Sequence, residues 1–254
     1  MVGIKTEDRI EAAAHTLADA RSSGRIGGLA GGEMPRTEDE AYAIQTRTLA
    51  LLGEGVAGWK VGPMPAQGAP RCAPIPASGL FVSGACLPDS YAAPEVEAEL
   101  ALTLGEDLPG SPATVDEALS AIAGARLAIE VLAARFLDRP AAPPLATLAD
   151  MQCTGGIALG ALHEDWRLLE FADLRPRAVF SDGRGLDAEG PQPGTAQILA
   201  SLIWLAGHAA ARGLPLRKGQ TIITGARVGP VPLAATTGVE VSLAGFGPVS
   251  LHRA

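Results

Sequence analysis

Glu95, Glu97 and Glu99 alternate with Val96, Ala98 and Leu100. Strict alternation of this kind marks a β-strand, in which residues two apart point to the same face. Such a strand lines up three like charges, which repel one another, while its other face is apolar and must pack on a core. A second anomaly is Glu130, the one charged residue in the run Leu127-Ala128-Ile129-Glu130-Val131-Leu132. A buried carboxylate without a partner is costly or stays protonated. A hard divalent cation would relieve both, and carboxylate oxygens suit Mg²⁺, Mn²⁺ or Ca²⁺. A competing reading makes the glutamate row the solvated face of an antiparallel sheet, with Glu130 paired to Arg126 or Arg135. The local pattern leaves both open.

Lys60 is the next residue able to do chemistry. It lies in Gly58-Trp59-Lys60-Val61-Gly62, an apolar segment bracketed by glycines. A lysine held there would have a lowered pKa and serve as acid or base, unless it snorkels from a strand edge. Asp150 and the stretch Cys153-Thr154-Gly155-Gly156 place polar groups beside a glycine pair, where backbone can approach a ligand or simply turn. Cys153 with one of the scattered histidines makes only a weak nucleophile pair. No phosphate loop, dinucleotide fingerprint or Gly-x-Ser-x-Gly elbow occurs.

These side chains need elements to position them. Residues 5–30 carry a helical pattern with Thr6 as N-cap, and glycines from Gly24 onward end it. A second helix spans Glu38 to Leu52, stopped by Gly53. Residues 57–62 form a short strand, and the proline-rich 63–79 read as irregular loop. Strands follow at 95–104 and 125–132, with a helix from Val115 to Ala123 opened near Thr114. Another proline-rich loop covers 138–144, then a strand runs through Thr154–Gly160. A late helix spans Thr195 to Gly213, and strands cover 221–224, 239–243 and 249–251. Helices come first, then short strands, without βα alternation. The expected class is α+β, with a helical part at residues 1–55 and a strand-rich core at 56–254.

Bulk properties narrow the function. The chain has 254 residues, 47% hydrophobic and 19% charged, which suits a packed globular unit. The net charge of −8, without a basic tract, argues against nucleic acid or anionic membrane as partners. Three cysteines without a C-x-x-C pair argue against a disulfide framework or structural zinc. The start of the chain, with Lys5, Glu7, Asp8 and Arg9, does not read as a signal peptide, and no apolar run reaches bilayer length. A cytoplasmic location is the expectation.

Taken in order, the segments resemble the 2-keto-4-pentenoate hydratase and 4-oxalocrotonate decarboxylase group of the fumarylacetoacetate hydrolase superfamily. Gly58-Trp59-Lys60-Val61-Gly62 resembles that group's Gly-Tyr-Lys-x-Gly segment. Val96-Glu97-Ala98-Glu99 resembles its Val-Glu-Ala-Glu metal motif, and Ala128-Ile129-Glu130-Val131 the strand bringing the third ligand. Ala149-Asp150 with Thr154-Gly155-Gly156, and Gly219 to Thr224-Gly225, resemble two further stretches.

The resemblance implies a mixed β-roll core behind the helices. It implies Mg²⁺ or Mn²⁺ on Glu97, Glu99 and Glu130, with Lys60 as the catalytic residue near the substrate. Asp150, Thr154, Gly155 and Thr224 would line the substrate, a short 2-oxo or 2-enol acid from aromatic catabolism. Assembly into a homo-oligomer is implied as well. The activity would be hydratase or decarboxylase, with an acylpyruvate-type C–C hydrolase or a non-catalytic binding subunit as alternatives. Glu95 has no role in the pattern. Ala77 stands where the group carries an acidic residue, in Ile75-Pro76-Ala77-Ser78-Gly79.

Overall fold

The computed structural model describes residues 5–91, 93–108, 110, 114–233 and 237–253. Two helices open the chain, α1 (Thr6–Ser23) and α2 (Glu38–Leu52). Helix α2 is bounded as its sequence dictates. The Thr37 hydroxyl accepts the Glu40 N–H, and Gly53 closes the last turn at φ 67°. Helix α1 is shorter than its pattern predicts. It stops before Gly24, whose φ of 107° leaves helical space. Its N-cap is Lys5, without a side-chain bond, and Thr6 is already the first helical residue.

Twelve strands follow among the described residues: β1 (Val56–Val61), β2 (Cys72–Pro76), β3 (Leu80–Val82), β4 (Ala85–Leu87), β5 (Glu95–Leu104), β6 (Ile122–Leu132), β7 (Thr154–Leu159), β8 (Arg177–Phe180), β9 (Gly185–Asp187), β10 (Thr221–Pro232), β11 (Gly238–Ser242) and β12 (Val249–Arg253). Helices α3 (Val115–Ala121), α4 (Pro144–Ala149) and α5 (Thr195–Ala211) are interleaved. Thr114 and Glu117 form a reciprocal capping box on α3. The loop expected over 63–79 contains β2, which escaped notice because it carries Pro74 and Pro76. Prolines are tolerated there because β2 is an edge strand.

Seven strands form one sheet in the order β2-β1-β10-β5-β6-β7-β3, and five form a second, β4-β12-β11-β8-β9. In the first sheet β1/β10 and β3/β7 are parallel and the other pairs antiparallel. The architecture is mixed, with the helices leading, as the α+β expectation requires. One face of the seven-stranded sheet carries Leu100, Leu102, Leu127, Ile129 and Val131. These residues join Val239, Val249 and Leu251 of the second sheet, and Leu17 and Ile44 of the first helices, in one buried core. The opposite face holds a small apolar cluster of Ile75, Ala101, Ala128, Ile157 and Ile223. By strand alternation Lys60, Glu97, Glu99 and Glu130 share that second face. Among the described residues no helix is long and apolar enough to cross a membrane.

Candidate metal centre

Strands β5 and β6 pair so that Glu97 lies directly opposite Glu130 and Glu99 opposite Ala128. Pairing converts two separate anomalies of the sequence into one cluster. One carboxylate oxygen from each of Glu97, Glu99 and Glu130 lies within 4.8 Å of the others. The solvated-face reading does not hold, because Glu99 is 2% exposed and Glu130 0%. Neither Arg126 nor Arg135 meets Glu130. Arg126 bonds Thr103 and the Gly160 carbonyl, and Arg135 pairs with Asp150.

The partner of Glu130 is Lys60, delivered by β1. Its Nζ lies 2.6 Å from Glu130 Oε1 and 3.3 Å from the Gln152 carbonyl oxygen. The second oxygen, Oε2, is buried with no hydrogen-bond partner. Three carboxylates facing one ammonium are under-compensated, and the titration behaviour reflects this. Burial, then the charge of Glu130, pushes Glu97 up to about 7 against the pull of Lys60. Burial and both neighbouring glutamates hold Glu99 well above the usual carboxylate range. For Lys60, burial works downward, but Glu130, Glu97 and Glu99 outweigh it. Its pKa is therefore raised, which corrects the lowered value expected from an apolar strand. The orphaned Oε2 and the oxygen-only donor set fit a hard divalent cation.

Strand β10 finishes the wall. Its pairing with β5 slips repeatedly between Ile223 and Val231. At such bulges ladder groups are freed to point elsewhere. Gly225, at φ 111°, uses its freed N–H to bond Glu99 Oε2 at 2.7 Å. The neighbouring Thr224 hydroxyl donates to the Leu100 carbonyl at 2.8 Å, tying β10 to β5. Sequence reasoning singled out Thr224 but missed the Gly225 amide, because bulges leave no periodic signal.

The segment before β7 holds Lys60 from the other side. Met151, Gln152 and Cys153 all have positive φ, at 50°, 50° and 63°. Left-handed backbone costs non-glycine residues roughly 1–2 kcal/mol each, so this strap must be held by its surroundings. Asp150 anchors it, accepting from Arg135 Nε at 2.7 Å and from the Arg135 backbone N–H at 3.0 Å. Arg135 also donates to the Thr154 carbonyl at 2.9 Å. Asp150 is thus committed to Arg135 rather than free. The Thr154 hydroxyl is buried without a partner. Gly155 accepts from the Tyr91 hydroxyl at 2.7 Å, and a Cβ on it would approach Tyr91 Cε1 to 2.6 Å.

The remaining candidates fall away from the cluster. Burial pushes the Cys153 thiol up to about 11, so it is no ready thiolate. Glu95 turns to an ion pair with Arg139. His208 stacks on Trp204 and meets Tyr42 edge-on. Ala77 begins a short helical turn, Ala77–Gly79, in which Ala77 and Ser78 are exposed and Ser78 donates to Glu54.

Residues 55–252 match the family model for the fumarylacetoacetate hydrolase C-terminal region. The chain is 34% identical over 165 residues to the TodF product hydratase of Pseudomonas putida, spanning 64% of this chain and 60% of that protein. It is 31% identical to a 2-keto-4-pentenoate hydratase of Paraburkholderia phymatum over 96% of this chain and 97% of that one. In fold it resembles the 4-oxalocrotonate decarboxylase from Pseudomonas putida G7, solved with calcium and acetate. There the TM-score is 0.80, with 21% identity over 98% of both chains. The same decarboxylase solved with magnesium and adipate gives a TM-score of 0.81.

Proposed function

The chain belongs to the fumarylacetoacetate hydrolase family, and from that premise we propose that it is a divalent-metal-dependent lyase acting on a short unsaturated 2-oxo or 2-enol acid of aromatic breakdown. Water addition is the favoured reaction, because the relatives matched over most of the sequence are named hydratases. The decarboxylase likeness carries the fold alone. The observation that carries the reading is the cluster itself. Two carboxylates buried to 2% or less face a third, with one lysine bonded to Glu130 and an oxygen left without a partner.

Glu97, Glu99 and Glu130 would hold Mg²⁺ or Mn²⁺. When bound, such a cation acts as a Lewis acid on the 2-oxygen of the substrate and stabilises negative charge developing there. The chain's own residues supply the rest. Lys60, charged at neutral pH, places its Nζ protons beside Glu130 and can pair with a substrate carboxylate or hand over a proton at that atom. The Gly225 amide fixes Glu99 in one orientation. Asp150, through Arg135, fixes the strap whose Gln152 carbonyl aims the Lys60 ammonium. Asp150 and Thr224 therefore serve as positioning residues. Thr154 and Gly155, which follow the strap, would line the substrate. The cluster of Ile75, Ala101, Ala128, Ile157 and Ile223 excludes water from below. Self-association of the chain belongs to the same reading.

The test follows loss of the enol form of 2-keto-4-pentenoate with Mg²⁺ or Mn²⁺, before and after chelation. Activity should vanish with chelator and return with metal, and Glu130→Gln should lower it about a hundredfold. Turnover indifferent to chelator would refute the proposal. Ala77 favours a second reading, a non-catalytic binder. In that case the chain binds pyruvate with metal, turns over no member of a 2-enol acid panel, and gains turnover on Ala77→Asp.

A further inference from the structure

A cavity of about 320 Å³ opens beside α1 and the start of β7, and neither the three glutamates nor Lys60 lines it. Its walls include Arg21, Arg25, Arg135, Glu54, Ser78 and Tyr91. Three guanidiniums thus share one small space with a single carboxylate. That carboxylate is already occupied. Glu54 accepts the Ser78 N–H at 2.7 Å and the Ser78 hydroxyl at 2.9 Å. Arg135, 6% exposed, is paired with Asp150 behind the wall.

Arg21 is the unbalanced member. Its Nη2 reaches only the Met151 sulfur at 3.1 Å and the Thr154 carbonyl at 3.4 Å, and its Nε is buried with no partner. Among the described residues Arg21 makes no ion pair with a carboxylate. Burial, then the adjacent Arg135 charge, brings it down to about 9. Arg21 is half-buried, and a guanidinium whose buried Nε has neither a partner nor an anion is costly for a fold to carry. The Thr154 carbonyl accepts from Arg21 and Arg135 together, so the two planar donors are held side by side. Paired guanidinium forks suit a planar carboxylate. Arg21 also lies outside the residues matched by the family model, which begin at residue 55.

We propose that this cavity is a binding site for a small carboxylate anion, with Arg21 as its principal contact and Arg25 at its rim. The proposal goes beyond the metal-dependent reading, and only the first of its two sources rests on that reading. The anion has two possible sources: the far carboxylate of a dicarboxylic substrate held on the cation, or a separate small carboxylate.

The experiment titrates the full chain with acetate and with adipate by calorimetry, first with chelator and then with Mg²⁺. Acetate should bind the chelated wild type, and Arg21→Met should weaken it about tenfold. Arg25→Gln alters only an exposed rim side chain and should weaken it about threefold. If Mg²⁺ tightens adipate about tenfold in wild type and not in Arg21→Met, the site takes the far end of a metal-held dicarboxylate. If adipate and acetate bind alike whatever the Mg²⁺, the site takes a separate anion. No binding of either anion to wild type, or unchanged affinity in both variants, would overturn the proposal. The chelated arm reads the cavity even if the chain proves inactive with metal.

Discussion

Lys60→Met isolates the energetics of the candidate centre. Lys60 Nζ is 2.6 Å from Glu130 Oε1, and the two side chains are 14% and 0% exposed. The remaining Glu130 oxygen has no partner, so nothing in the metal-free chain replaces the lysine. Breaking a buried pair by removing one member costs about 3–5 kcal/mol when the other stays charged. The alternative is to protonate the orphaned carboxyl. From an unfolded value near 4.3, that costs about 1.4 kcal/mol for each pH unit above it. The cost is therefore about 1.5 kcal/mol near pH 5.5, and reaches the 3–5 kcal/mol ceiling near pH 8. The sign follows from linkage. The folded variant binds a proton that the unfolded chain has released, so its stability falls as pH rises. At about 2–4 °C per kcal/mol for a chain of this size, Tm should drop about 3–6 °C at the lower pH and about 6–20 °C at the higher. The assay is thermal unfolding of wild type and variant with chelator at both pH values, repeated with Mg²⁺. Mg²⁺ should recover most of the loss at the higher pH, because a cation can replace the missing charge. Equal losses at both pH values, or no recovery with Mg²⁺, would refute the account.

Three further outcomes follow from the same geometry. Mg²⁺ affinity measured by calorimetry should weaken as pH falls through about 7, because Glu97 must lose its proton to bind and burial beside Glu130 has raised that step. Gly225→Ala places a side chain at φ 111° with its Cβ 3.1 Å from Pro63 Cδ. It should cost about 1–3 kcal/mol in denaturant unfolding and weaken Mg²⁺ binding by loosening the amide on Glu99. Asp150→Ala leaves Arg135 buried and unpaired and releases the left-handed strap, so it should lower stability by about 3–5 kcal/mol. In the fraction that stays folded, kcat should fall while KM for the 2-enol acid changes little, as befits a positioning residue rather than a substrate contact.

Much of this was legible in the chain, and the reasons are physical. The period-2 pattern from Glu95 to Leu104 places β5 at its observed bounds, because its apolar face packs on a core. Helix α2 was equally legible, since Gly53 is a local stop signal, although its Thr37 cap was not singled out. Strands β3, β4 and β9 were not, because three residues carry no measurable period. The strap was hidden as well. Met151, Gln152 and Cys153 have no propensity for left-handed backbone, and tertiary bonds to Arg135 and Arg21 impose it. Arg21 gave no signal because a helical arginine is ordinarily a solvated one.

The step the sequence left open was whether the glutamates face water, and burial decides it. A solvated row would leave Glu99 exposed, with Ile157 and Ile223 elsewhere. Instead the row runs inward along β5. Glu95 at the rim pairs with Arg139, Glu97 is half-buried, Glu99 is nearly closed off, and Ala101 already belongs to the apolar floor. Each two-residue step thus carries a carboxylate into a less polar setting, and Glu130 meets it from the neighbouring strand at the level of Glu97. One lysine cannot balance three such groups. On the proposed reading a divalent cation among the inner three would offset that surplus, while Glu95, already matched by Arg139, stays outside the set.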